Sequence, residues 1–219
     1  GLTCARGQTP ELTLAQHRYV PLASKADANQ VWQIPICVKY ASGSSEAQEC
    51  TLMTTPTARL PLTQAGSCPS WVLPNAGELG YYRMHPEGEL LDRLLTRGMK
   101  KLSLPERVGV VEDLEALVGS GQIPPSDTLA LVASLEKDGN RHLVAAAAGI
   151  AGMPDEIIGP ELRPNYQRFV RKLFGSRAKA LGWTPKKGED EDTRILRNSV
   201  VGLVAHQGED KETGAEAKK

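Results

Sequence analysis

Trp32-Gln33-Ile34-Pro35-Ile36-Cys37-Val38-Lys39-Tyr40 sets Trp32, Ile34, Ile36, Val38 and Tyr40 on one face, against Gln33, Pro35, Cys37 and Lys39 on the other. A period of two over nine residues marks a strand with one buried face. Pro35 has no N–H for a ladder, so this strand lies at an edge or position 35 points away from a partner. Working outward, Glu11 to Tyr19 alternates in the same way, with Leu12, Leu14, Gln16 and Arg18 against Thr13, Ala15, His17 and Tyr19. Gly43-Ser44-Ser45 reads as a turn, Cys50 to Thr55 as a third strand, and Leu60-Pro61-Leu62 and Trp71-Val72-Leu73 as shorter extended pieces. Short strands separated by turn residues at this spacing predict an antiparallel β-sandwich over residues 1–84.

Beyond Met84 the pattern changes. Up to that residue the chain holds six basic and five acidic residues; the remainder holds 20 and 21, about twice the charge density. Such a shift predicts a second unit with more solvated helical faces. Leu90, Leu91, Leu94, Leu95 and Met99 form one stripe at helical spacing. Ser103-Leu104-Pro105-Glu106 has the form of a capping box, followed by the apolar face Val108, Val111, Leu114, Leu117 and Val118 and a stop at Gly119 to Gly121. Ser126 is expected to cap a helix bearing Leu129, Leu131, Val132 and Leu135, and an alanine-rich helix follows from about Arg141 to Ile150. A longer helix begins after Pro164 and stops at Gly182, and Asp192 is expected to cap a last one bearing Ile195, Leu196, Val200, Leu203 and Val204. The fold class is therefore α+β multidomain: the sandwich, then a solenoid-like array of α-helical hairpins over residues 85–219, without a fixed-period repeat. The polar tail after about residue 210 is expected to fray.

The 26 basic and 26 acidic residues cancel, which argues against a nucleic-acid partner. No apolar run approaches the roughly 18 residues of a membrane span. The chain opens Gly1-Leu2-Thr3-Cys4 without methionine, so it is expected to be processed or excised from something longer, with any targeting segment lost from view.

The catalytic inventory is thin. His17, His85, His142 and His206 are scattered, with no H-E-x-x-H and no C-x-x-C, so no metal ligand set is read here. Neither G-x-S-x-G nor a glycine-rich phosphate loop occurs, so no catalytic or cofactor-binding residue is assigned. Lys186 to Asp192 reads as a solvated charge run before a helix, and Arg194 and Arg197 as partners for helix-surface acids. Cys4, Cys37, Cys50 and Cys68 all lie in the strand-rich part, and their even number suits two disulfides in an exported protein. The favoured pairing is Cys50 with Cys68, leaving Cys4 with Cys37; four reduced thiols in a cytosolic protein is the alternative. Localisation follows that choice, extracytoplasmic with disulfides and cytoplasmic without.

Three stretches together resemble a known family. Leu14-Ala15-Gln16-His17-Arg18-Tyr19 followed by Trp32-Gln33-Ile34-Pro35 comes first, then Trp71-Val72-Leu73-Pro74-Asn75 with Gly80-Tyr81-Tyr82-Arg83, then Leu181-Gly182-Trp183. In this order they resemble the C-terminal half of the gluzincin-type zinc aminopeptidases, the group of aminopeptidase N and the puromycin-sensitive and endoplasmic-reticulum aminopeptidases. The resemblance implies a parent enzyme in four parts, of which this chain is similar to the small β-sandwich and the beginning of the helical domain. The family's zinc motif and its G-x-M-E-N motif are absent, so no zinc ligand, general base or amine anchor carries over. The implied role is a non-catalytic region that closes or shapes the peptide-binding cavity, inactive alone, with zinc in the parent only. Its implied partners are the upstream catalytic domain of the same parent chain and the parent's peptide substrates. The competing readings are a stand-alone protein- or peptide-binding module and, with no nucleophile to support it, an unrecognised hydrolase. The large aromatics Trp32, Trp71, Tyr81 and Tyr82 are expected in the sandwich core and against the first helices, with Gly80 allowing close approach there.

Overall fold

The computed structural model describes residues 1–27, 29–153 and 157–217. Its contacts divide the chain into two compact units, Gly1–Ile123 and Pro124–Lys219.

The first unit carries two three-stranded antiparallel sheets. One has β1 (Leu2–Thr3), β2 (Glu11–Ala15) and β5 (Thr57–Pro61) in the order β1-β2-β5; the other has β3 (Ile34–Ser42), β4 (Ser45–Met53) and β6 (Trp71–Leu73) in the order β4-β3-β6. Leu12 and Leu60 from one sheet and Ile36, Val38, Tyr40, Met53 and Val72 from the other bury a common core together with Leu62. The alternation of β3 holds: Ile36, Val38 and Tyr40 are buried while Pro35 is exposed. Pro35 sits within a central strand because β6 pairs only with Lys39 to Ala41, so on the side away from β4 position 35 has no ladder to interrupt.

The third strand begins at Ser45, earlier than its apolar residues suggest. Gly43, at φ 61°, turns the chain so that Ser42 faces Ser45. That register places Cys37 directly opposite Cys50 and overturns the expected disulfide pairing: Cys37 bonds Cys50 across the hairpin, with Cα atoms 4.1 Å apart, and Cys4 bonds Cys68 at 5.6 Å. Cys50 lies mid-strand rather than at a strand end, so its side chain is committed to the neighbour on β3.

The same unit continues into helices. α1 (Glu89–Arg93) runs on through a π turn at Leu94–Gly98 and a 3-10 turn at Met99–Lys101, and α2 spans Leu104–Gly119. Leu90 and Tyr82 pack against the sandwich core, and the Trp71 ring is 3% exposed. A Cβ at Gly98 would stand 3.3 Å from that ring, so the glycine admits Trp71 against the π turn. The α2 C-terminus is closed from the β2–β3 connection, where Tyr19 Oη donates to Ala116 O at 3.0 Å and Leu22 N donates to Gly119 O at 3.4 Å.

The second unit consists of α3 (Pro125–Leu135), α4 (Arg141–Ala151), α5 (Arg163–Leu181), α6 (Glu191–Gly202) continued by a π turn at Leu203–Gln207, and α7 (Lys211–Glu216). Ala147, Ala148 and Ala151 of α4 are buried, and α4 packs against both α3 and α6. Three local expectations are corrected. Pro124, not Ser126, occupies the N-cap of α3. Asp190, not Asp192, caps α6 by accepting from Thr193 N at 2.8 Å, which frees Asp192 to pair with Arg141 at 2.5 Å. The tail is helical rather than frayed over Lys211–Glu216: Asp210 caps it, and Trp183 Nε1 donates to Thr213 O at 2.7 Å. Residues 218–219 of that tail lie outside the described residues. Among the described residues, no helix is long and apolar enough to cross a membrane.

Two stability outcomes follow from this packing. Trp71→Ala is expected to cost about 3–5 kcal/mol, the range for deleting a buried aromatic, read from the denaturant midpoint. The disulfides close loops of 64 and 13 residues, which by chain entropy stabilise by about 4 and about 3 kcal/mol. The double variant Cys4→Ser/Cys68→Ser should therefore unfold at lower denaturant than Cys37→Ser/Cys50→Ser, and the reverse order would contradict the loop account.

Candidate functional site

The first unit concentrates its buried polar groups where β6 gives way to the helices. Asn75 is 1% exposed and closes the turn that follows. Its Oδ1 accepts from Gly80 N at 2.9 Å, and its Nδ2 donates to Gly80 O at 3.1 Å and to Glu78 Oε1 at 3.0 Å. Between them Gly77 and Glu78 both take positive φ, 69° and 55°. Tyr82 Oη donates to Pro74 O at 2.8 Å, and its ring lies so close to Gly80 that a Cβ there would come within 2.1 Å. The Trp-x-x-Pro-Asn and Gly-Tyr-Tyr-Arg stretches are thus two halves of one hydrogen-bonded loop.

Helix α2 supplies two carboxyls, Glu106 and Asp113, to this loop and its flanks. Glu106, 3% exposed, completes the capping box with Ser103, whose N–H donates to Oε2 at 2.8 Å. The same carboxylate accepts from Gly77 N at 3.0 Å and pairs with Lys39 of β3 at 3.4 Å. One turn on, Gly109 gives Glu78 its place: a Cβ there would stand 2.1 Å from Glu78 Oε2. Asp113 accepts from Met84 N at 2.8 Å and from Arg83 Nη1 at 3.2 Å, and the Arg83 guanidinium stacks over the Tyr19 ring at 5.5 Å. Glu112 adds its carbonyl as an acceptor for Arg83 at 3.3 Å.

These acids are driven apart electrostatically. Burial, then the nearby charges of Asp113 and Glu112, push the Glu78 carboxyl up to about 7. Burial also raises Asp113 to about 6, against the pull of Met84 N–H and Arg83. Glu106 is desolvated as well, yet the Gly77 and Ser103 donors and Lys39 outweigh that and hold it below the ordinary glutamate range. Burial raises Tyr82 to about 12. A near-neutral glutamic acid is the raw material of general acid–base catalysis. Here the Glu78 carboxyl faces the α2 backbone and the Asn75 amide, which fill the space a reacting atom would need. The cluster is an apparatus for positioning a loop.

What the loop presents is apolar. Leu79 is 87% exposed and Tyr81 is exposed as fully as a free side chain, at 108%. Tyr81 therefore leaves the core role expected of it, as does Trp32, which is 37% exposed; Trp71 and Tyr82 keep theirs.

The histidines lie in four separate segments of the chain. His17 lies beyond the end of β2, His85 Nδ1 is 3.1 Å from Gln122 Oε1, His142 opens α4, and His206 sits in the π turn after α6. All four cysteines are spent in disulfides, and among the described residues no group of three or more His, Cys, Asp or Glu is arranged to hold a metal ion. The donors present do not fit a zinc centre. In the second unit a polar cavity of about 320 Å³ is lined by Ile158, Arg163, Tyr166, Gln167, His206, Gln207 and Glu209. Tyr166 Oη there is fixed between Ala151 O at 2.7 Å, Met153 N at 3.1 Å and Gln207. The charge run before α6 is less solvated than its composition suggests: Glu189 is buried in an ion pair with Arg197, while Arg194 keeps a surface partner in Glu191.

Asn75, Gly80, Tyr82 and Arg83 stand in the motif stretches of the sequence, whereas no local pattern marks a role for Glu78 or Asp113, and Glu106 is legible only as a cap. One signal was available. Gly109 stands in the middle of an otherwise strong helix, where glycine costs about 1 kcal/mol relative to alanine, so close approach by another group was indicated.

Comparison with known proteins extends this picture. The sequence model of the family described as ERAP1-like C-terminal domain matches residues 71–219, beginning at the first residue of β6. Puromycin-sensitive aminopeptidase of Caenorhabditis elegans is 26% identical over 209 residues, 92% of this chain and 22% of the relative. Aminopeptidase M1-D of Oryza sativa subsp. japonica is 30% identical over 146 residues, 64% of this chain and 17% of the relative. Endoplasmic reticulum aminopeptidase 2 of Homo sapiens is 26% identical over 209 residues, 90% of this chain and 19% of the relative. The chain thus spans about a fifth of the length of the curated relatives it matches.

The raised carboxyls have a pH consequence. A folded-state pKa above the unfolded value contributes stability that is complete below the unfolded pKa and is lost as pH rises through the folded one. For Glu78 that window runs from the ordinary glutamate value of 4.5 up to about 7, and for Asp113 from the ordinary aspartate value of 3.8 to about 6. Glu78→Gln should flatten the fall in melting temperature between about pH 5 and pH 8. An undiminished slope in that variant would remove Glu78 from the account. Gly109→Ala, despite the better helix former, should lower stability by displacing the Glu78 carboxyl.

Proposed function

Because the chain belongs to the ERAP1-like C-terminal domain family, we propose that it serves as a non-catalytic C-terminal region of a zinc-dependent aminopeptidase, closing or shaping the cavity in which the parent enzyme binds peptides. The observation that carries this reading is the family match over residues 71–219, joined to relatives named as aminopeptidases that align over most of the chain. In this reading residues 1–84 are the small β-sandwich domain and residues 85–219 the first part of the helical domain. Support for a non-catalytic role comes from the chemistry of the residues themselves: paired cysteines, histidines in separate segments and carboxyls committed to backbone donors. Zinc, the general base and the peptide's amino-terminal anchor then belong to the upstream part of the parent chain, which is this region's partner.

The test uses the reading frame that encodes the chain. An H-E-x-x-H motif upstream is the expected finding. The longer product should hydrolyse aminoacyl amides, and deleting this region should change its selectivity for peptide length. The 219-residue polypeptide alone should neither bind zinc tightly nor hydrolyse such amides. Stoichiometric zinc in that polypeptide, purified without metal-affinity steps and showing chelator-sensitive hydrolysis, would overturn the proposal.

A further inference from the structure

We propose that the Leu79–Tyr81 ridge is a docking surface whose occupant is the peptidase domain of the parent aminopeptidase chain, an inference that rests on the functional reading above. The ridge begins with an expense that the first unit does not recover by itself. Leu79 and Tyr81 stand 87% and 108% exposed, so the loop that carries them buries neither. Yet this loop is held at both ends and in its middle by side-chain hydrogen bonds. Asn75 ties its two ends together through Gly80, Glu106 grips Gly77, and Tyr82 Oη anchors Pro74 O. Gly77 and Glu78 are both held at positive φ, which for the glutamate is an uncommon conformation. Exposed loop tips are ordinarily polar and loosely held; one that is immobilised and offers a leucine and a tyrosine to water is pre-organised for contact.

The chemistry of the ridge selects the class of occupant. From Ala76 to Tyr82 the only charged residue is Glu78, and its carboxyl points inward to Asn75 and the Gly109 backbone. The outward surface is apolar with one phenol, the composition of an interface core and not of a site for nucleic acid or an acidic peptide. The extent of the relatives favours a partner within the same polypeptide. The chain accounts for 22% of the puromycin-sensitive enzyme it matches over 209 residues, so more than three quarters of such a protein remains to cover surface. The ridge lies within the family match, which begins at Trp71, and so belongs to the family's own domain. A second copy of this chain is the competing occupant, and the test separates the two.

Tyrosine-directed chemical labelling, read by peptide mapping, would be run on the 219-residue chain and on the product of the complete reading frame. Tyr81 is expected to react at the rate of a free tyrosine in the short chain and at least about tenfold more slowly in the long one, as for a ring in an interface core. Leu79→Ser/Tyr81→Ser should leave the melting temperature of the short chain unchanged and lower that of the long one. Equal labelling of Tyr81 in both proteins, in a frame that does encode H-E-x-x-H, would overturn the ridge while leaving the proposed function standing. A frame without a peptidase domain would overturn both. Tyr81 protection that rises with concentration of the short chain alone, with a dimer in sedimentation, would assign the ridge to a second copy and overturn the occupant proposed here.

Discussion

The buried carboxylate of Glu106 ties three parts of the first unit together. Burying an unpaired carboxylate is costly, and the structure offsets that with donors from three separate segments: Ser103 at the start of α2, Gly77 in the loop after β6, and Lys39 on β3. The favourable field at the N-terminus of α2 acts in the same direction. Helix, loop and strand consequently share one anchor. Moving any of them would leave the carboxylate short of donors, so the start of α2 sets where the loop can lie. Further along α2, Gly109 and Asp113 extend the seam, the first by receiving Glu78 and the second by holding Met84 and Arg83.

A polar seam of this kind gives geometry more than stability. Glu78 and Asp113 are raised by burial, so their ionised forms are disfavoured in the fold, and an apolar seam of the same shape would avoid that cost. The directed hydrogen bonds instead hold one loop conformation, in which Leu79 and Tyr81 face outward while Tyr82 faces the sandwich core. Adjacent tyrosines with opposite fates follow from Gly80 and Asn75, which fix the backbone on which the two rings diverge. The family match supplies a context in which such a surface is useful, since it places residues 71–219 in a domain found within much longer relatives.

Much of the fold was legible in local pattern. The alternation of Trp32 to Tyr40 marked β3, the capping box marked the start of α2, and the apolar stripes marked the helices. Where reading failed, the physical reason is specific. β4 begins before its apolar residues because Glu49, in a largely polar stretch, points inward: Tyr40 Oη donates to it at 3.0 Å, Thr63 Oγ1 at 3.1 Å and Gln64 N at 2.7 Å. A satisfied carboxylate took the place of an apolar residue, and the period of two was hidden. The disulfide pairing failed with it, although counting five residues outward from Ser42 and from Ser45 reaches Cys37 and Cys50. The caps of α3 and α6 were each placed two residues late, because several residues near a helix start have capping chemistry and only backbone geometry selects among them.

By itself the sequence determined most of the strands and helices, the burial of Trp71 and of stripe residues such as Leu94, Leu114 and Val200, and, through its motif stretches, the family to which the chain belongs. These properties depend on side-chain periodicity and on short local hydrogen bonds, which lie within a few residues of one another along the chain. The tertiary structure decided what the charged and aromatic residues do. Nothing near Glu78 in the sequence indicates Gly109, 31 positions on, and nothing near Lys39 indicates Glu106, 67 positions on. A carboxyl's protonation and an aromatic ring's exposure depend on the dielectric and the neighbours that folding brings together. Glu106 and Glu78 are alike as sequence, and only folding makes one a donor-rich anion and the other a near-neutral acid.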